Sequence, residues 1–201
     1  FNAEIISKIP PFTFEIDSRT DSTSSRTAIY AKSFNENFAL KTIAQISNPY
    51  DNDRKANIYI RDMEISRKGM SLLQSYIRNN KIDLVDKIGH LNLTAEAEIT
   101  KESIKGNARA ATANGEISTA GTYDKGEFSI TANGYDIDIS NLANLDTSLK
   151  CSLQTSADGC INDKEKNIRL SATITELESS KYTFAPIEIA GTYDLQKSHI
   201  C

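Results

Sequence analysis

His90-Leu-Asn-Leu-Thr-Ala-Glu-Ala-Glu-Ile-Thr100 decides the fold class. Leu91, Leu93, Ala95, Ala97 and Ile99 alternate with Asn92, Thr94, Glu96, Glu98 and Thr100. A period of two is the mark of a strand with one apolar and one polar face. The same alternation runs through Phe128, Ile130 and Ala132, through Leu149, Cys151 and Leu153, and through Ile168, Leu170, Ala172 and Ile174. Ile137 and Ile139 alternate with Asp136 and Asp138, and Ile58, Ile60 and Ile65 flank a charged Arg61-Asp62 pair. The pattern predicts a mainly β chain. Its expected common apolar face comprises Leu91, Leu93, Ala95, Ala97, Ile99, Phe128, Ile130, Leu149, Leu153, Ile168, Leu170 and Ile174.

Turn chemistry divides these runs. Asn48-Pro49, Lys105-Gly106-Asn107, Asn114-Gly115, Lys125-Gly126, Asn133-Gly134 and Asp158-Gly159 are expected turns, since Asn-Gly favours the positive φ of tight hairpins. Thr-Ala-Asn-Gly occurs at 112–115 and 131–134, and Ala-Gly-Thr-Tyr-Asp at 120–124 and 190–194, faint echoes of a repeated strand-turn unit. One stretch departs from period two. Met70, Leu73 and Ile77, with Leu72 and Tyr76 beside them, form a helical stripe over 66–80. Ser66 is its expected N-cap and Asn79-Asn80 its end. A further turn from Ile82 to Ile88, closed by Gly89, completes a helical insertion of about 66–88, placed to plug an end or edge of a sheet.

The apolar face is lined by slim residues. Ala95, Ala97, Ala108, Ala110, Ala132, Ala172 and Gly191 stand where a packed sandwich would use valine or phenylalanine; tryptophan is absent and Val85 is the one valine. Close-packed cores need large interdigitating side chains. Small ones leave room for an open trough.

The chemistry is sparse. With a net charge of -4, the chain is poorly suited to neutralising phosphates, so no nucleic-acid partner is expected. No run of about 18 apolar residues is present to span a bilayer as a helix. There is no GxSxG, HExxH, phosphate-binding glycine loop or EF-hand spacing, and no enzyme activity, catalytic residue, metal or cofactor is expected. Asp51 with Asp53 and Asp136 with Asp138 read as solvated carboxylates. His90 and His199 lack a cysteine at zinc-ligand spacing. Asn92-Leu93-Thr94 is a glycosylation sequon lying inside a strand. Cys151 and Cys160 flank Ser156-Ala157-Asp158-Gly159, read as a turn; either a disulfide formed in an oxidising compartment or two reduced thiols fits that spacing.

At Ile168–Asp194 a strand is followed by Tyr-x-Phe (Tyr182, Phe184) and then Ile-x-Ile-x-Gly-x-Tyr. This unit resembles the repeat of the TamB/AsmA-like family, and Leu91–Ile139 looks similar. The helix at 66–80 has no counterpart in that pattern. The resemblance implies an elongated, curled antiparallel sheet with an apolar concave groove. It also implies a single β-rich segment, 1–201, cut from a longer repetitive protein of the periplasm that is anchored in the inner membrane. Phospholipid acyl chains are then the implied ligand, with a role in outer-membrane protein assembly beside an Omp85-type barrel that binds other parts. Carrying an acyl chain of about 16 carbons through water costs on the order of 13 kcal/mol, at roughly 0.8 kcal/mol per methylene. A continuous apolar trough removes most of that barrier. Two other readings share the strands: a structural or adhesive β-sandwich module of a bacterial surface protein, and an enclosed lipid-binding barrel.

Overall fold

The computed structural model describes residues 11–76, 83–161, 166–179, 182–194 and 199–200. Among the described residues the protein is mainly β, an open antiparallel sheet in which most strands pair with their sequence neighbours, with three short helices. The chain divides into two compact units. The first takes the chain up to Glu96 together with Ala110–Ala113; the second takes Ala97–Arg109 and the chain from Asn114 onward.

In the first unit, β1 (Phe12–Thr20), β2 (Ser24–Ser33), β3 (Phe38–Ser47) and β4 (Lys55–Ile65) lie side by side in chain order. Their register carries Phe14 to Ala31, Ala31 to Leu40 and Leu40 to Met63 across the four strands. Residues paired in antiparallel strands share a face, so this side is apolar, and Glu15, Lys41 and Asp62 take the other. The sequence changes phase within β4, because Ile58 and Ile60 are even and Met63 and Ile65 odd. A bulge absorbs the extra residue: Lys41 pairs with Asp62 but Thr42 with Ile60. Arg61, left over, lays its guanidinium 4.4 Å from the centre of the Tyr59 ring.

Asp21 closes the β1–β2 turn. Its carboxylate accepts from the Thr23 and Ser24 amides at 2.8 and 2.7 Å and from both hydroxyls. Those bonds, led by the Thr23 amide, hold its pKa at about 2 against an ordinary 3.8. A pKa lowered by folding contributes stability above the ordinary value, and that contribution disappears as pH falls through about 2. An NMR titration should therefore place the Asp21 midpoint near 2; a midpoint at or above 3.8 would mean the turn is not held this way.

The helical insertion is seated on the β2–β3 turn. Ser66 donates its amide to the Asn37 carbonyl at 3.0 Å and its hydroxyl to Asn37 Oδ1 at 2.8 Å. The same hydroxyl accepts from the Gly69 amide at 3.2 Å, capping α1 (Arg67–Tyr76) as its sequence position predicts. Gly69 lies against the turn so closely that a Cβ there would come 2.5 Å from the Asn37 carbonyl oxygen. Met70 is buried beyond it, 3% exposed. Ile77 and the expected end at Asn79-Asn80 lie outside the described residues. The second helical turn is α2 (Leu84–Lys87), capped by Asp83 Oδ1, which accepts from the amides of Val85 and Asp86 at 3.0 and 3.1 Å. Gly89, at φ 71°, ends it as expected. The chain then enters β5 (Leu91–Ile99), where Leu91, Leu93 and Ala95 are half-buried and Asn92, Thr94 and Glu96 exposed.

The second unit holds the end of β5, most of β6 (Ser103–Thr112), β7 (Gly115–Asp124), β8 (Glu127–Asp138), α3 (Ile139–Ala143), β9 (Leu149–Ile161), β10 (Lys166–Ser179), β11 (Thr183–Phe184), β12 (Ile187–Asp194) and β13 (His199–Ile200). Lys125 and Gly126, at φ 49° and 95°, make the expected tight hairpin. Three expected turns are strand instead: Gly106 lies within β6, Gly134 within β8 and Gly159 within β9. At Gly134 and Gly159 the missing side chain makes room for neighbours. A Cβ on Gly134 would press on Leu153 at 3.3 Å, and one on Gly159 would collide with the Asn167 carbonyl. Ile139, expected to continue a strand, opens α3, because Asp138 accepts from the Asn141 amide at 2.9 Å and from the Ser140 hydroxyl and caps a helix there. These bonds, the Ser140 hydroxyl first, hold the Asp138 carboxyl below its usual range. Asp136 is paired with Lys150 at 3.0 Å.

Candidate functional site

The second unit arranges its apolar residues in rows that run across β7, β8, β9, β10 and β12. One row reads Tyr123, Phe128, Gly159, Ile168, Tyr193; the next Gly121, Ile130, Ala157, Leu170, Gly191. The third reads Thr119, Ala132, Thr155, Ala172, Ile189, and the fourth Ile117, Gly134, Leu153, Ile174, Ile187. Four rows across five strands contain no charged side chain. The third row is small over four strands and lies between rows bearing Ile130 and Leu170 on one side and Leu153 and Ile174 on the other. Rows on one face are about 7 Å apart along the strand, and strands about 4.8 Å apart, so this low strip has the proportions of a shallow channel. The Thr155 hydroxyl within it is already partnered, donating to the Ala132 carbonyl at 3.2 Å.

The repeated pentapeptide finds its structural meaning here. In both copies the glycine stands opposite a large aliphatic residue, Gly121 against Ile130 and Gly191 against Leu170. The tyrosines occupy the same outer row, Tyr123 against Phe128 and Tyr193 against Ile168. Slim residues beside large ones keep the face corrugated rather than flat.

Bulges hold the face in phase. In β8 the pairing jumps from Gly134–Leu153 to Ile137–Cys151; in β10 it jumps from Ile174–Leu153 to Glu176–Ser152 and then Leu177–Cys151. Ile137, Cys151 and Leu177 thereby come to the apolar side with Leu149, although 174 and 177 differ in parity. The reverse side is polar and tied together by cross-strand pairs. Arg109 grips Glu116 with two bonds of 2.7 Å, Arg169 Nη2 meets Asp158 at 2.9 Å, and the Ser156 and Ser171 hydroxyls are 2.7 Å apart.

The face is open to solvent. Ile130 is 48% exposed, Leu170 53% and Ile189 60%. Across the described residues the buried apolar side chains are Ala31, Ile65, Met70 and Cys151. Exposed apolar residues standing singly are ordinary; a contiguous array of them marks a binding surface.

Of the expected lining, Phe128, Ile130, Leu149, Leu153, Ile168, Leu170 and Ile174 share this face. Ala97 and Ile99 lie at the second unit's end of β5, which the Thr100 amide joins to β6 by donating to the Ser103 carbonyl at 2.9 Å. Leu91, Leu93 and Ala95 lie in the first unit. Ile117, Tyr123, Ile187, Ile189 and Tyr193 also belong to the face and were not anticipated. For the last three the signal was present in Ile-x-Ile-x-Gly-x-Tyr, itself an alternating run.

Of the two alternatives for Cys151 and Cys160, the strand geometry excludes a disulfide between them. Cys151 and Cys160 both lie on β9 and are not bonded to each other, since Ser156–Gly159 continues the strand instead of turning. Nine residues of extended chain separate them by about 30 Å, where a disulfide needs Cα atoms within about 7 Å. Their parity also puts them on opposite faces. Burial pushes the Cys151 thiol above its ordinary pKa. In the native protein iodoacetamide should modify Cys160 well before Cys151. Recovery of a linked Cys151–Cys160 peptide from unreduced protein would contradict the strand.

No family model, curated protein or solved structure matches the chain.

Proposed function

We propose that the apolar face of the second unit is a contact surface for phospholipid acyl chains, in a periplasmic bridge of the TamB/AsmA-like kind. The observation that supports this reading is the four-row, uncharged, solvent-open face backed by a polar side. An acyl chain gains from such a surface without any directional anchor, because burial is proportional to area and indifferent to orientation. The low strip through Ala132, Thr155 and Ala172 gives the chain a place to lie across the strands. The absence of charge along it suits movement over capture. A sandwich core would bury Ile130 and Leu170, and here both remain about half exposed. An Omp85-type barrel partner and an inner-membrane anchor belong to this proposal through other parts of a longer chain.

A photo-crosslinking amino acid placed at Ile130, Leu170 or Ile189, with Ser129 and Glu188 as reverse-face controls, tests it in cells. The first three positions should capture phospholipid and the controls should not. Equal labelling of both sides, or none on either, defeats the proposal.

A further inference from the structure

We draw no further inference here: the strongest candidate, the apolar face of the first unit with Phe14 and Ile16 exposed on β1, carries nothing because nothing in the structure shows what covers it.

Discussion

Replacing Met70 by alanine is expected to destabilise the first unit by about 3 kcal/mol, within the usual 2–5 kcal/mol for deleting a buried large side chain. The side chain is 3% exposed, and few others among the unit's described residues are so buried, so its loss leaves a cavity that little can fill. The backbone around it cannot readily settle inward. Ser66 is tied to Asn37 by two hydrogen bonds, and Gly69 already presses against the Asn37 carbonyl. The matched substitution Ile130→Ala removes a side chain that is 48% exposed and leaves no cavity, so it should cost under about 1 kcal/mol. Amide hydrogen exchange, followed separately over β2–β4 and over β8–β10, reads the two effects apart. Equal losses at the two sites would mean that the apolar face is as tightly packed as the helix seat.

That contrast also explains what the sequence made legible. Alternation depends only on side-chain direction, so strands such as β5 and β10 were visible without knowledge of their partners. The N-cap at Ser66 and the stop at Gly89 were equally local. What escaped notice depends on neighbours. Thr-Ala-Asn-Gly runs from strand into a turn at 112–115 but is all strand at 131–134, because Gly134 is needed flat against Leu153. Asp158-Gly159 is strand for the same kind of reason, with Asn167 closing over Gly159. Read from the sequence alone as a turn, that stretch admits a Cys151–Cys160 disulfide, which the strand does not. β1 to β3 are harder to read although Phe12, Phe14 and Ile16 alternate, because large apolar residues on the polar side, such as Tyr30 and Ile43, blur the longer pattern. The rows themselves need the register, which no single strand contains.

The larger functional effect is expected from Ile130→Asp. Ile130 stands beside the low strip, opposite Gly121 and Ala157, and both of those neighbours are too small to screen a charge from a ligand lying there. In the free protein the new carboxylate is on a half-exposed surface and stays hydrated, so the sheet should fold with little loss. A bound acyl chain would have to strip that hydration, and desolvating an unpaired carboxylate costs several kcal/mol. A penalty of only about 3 kcal/mol lowers occupancy roughly 100-fold, since each 1.4 kcal/mol is a factor of ten. Ser129→Asp, one residue away on the polar side, should leave binding unchanged, which separates position from charge alone. Ala172→Phe fills the strip with an apolar group and should reduce binding through shape without any charge. The readout is phospholipid captured by a photo-crosslinker at Leu170, with circular dichroism and hydrogen exchange confirming the sheet in each variant. Undiminished capture in a folded Ile130→Asp protein would remove this face from any account of lipid passage. Loss in Ser129→Asp as well would point to a general effect of charge and not to a channel.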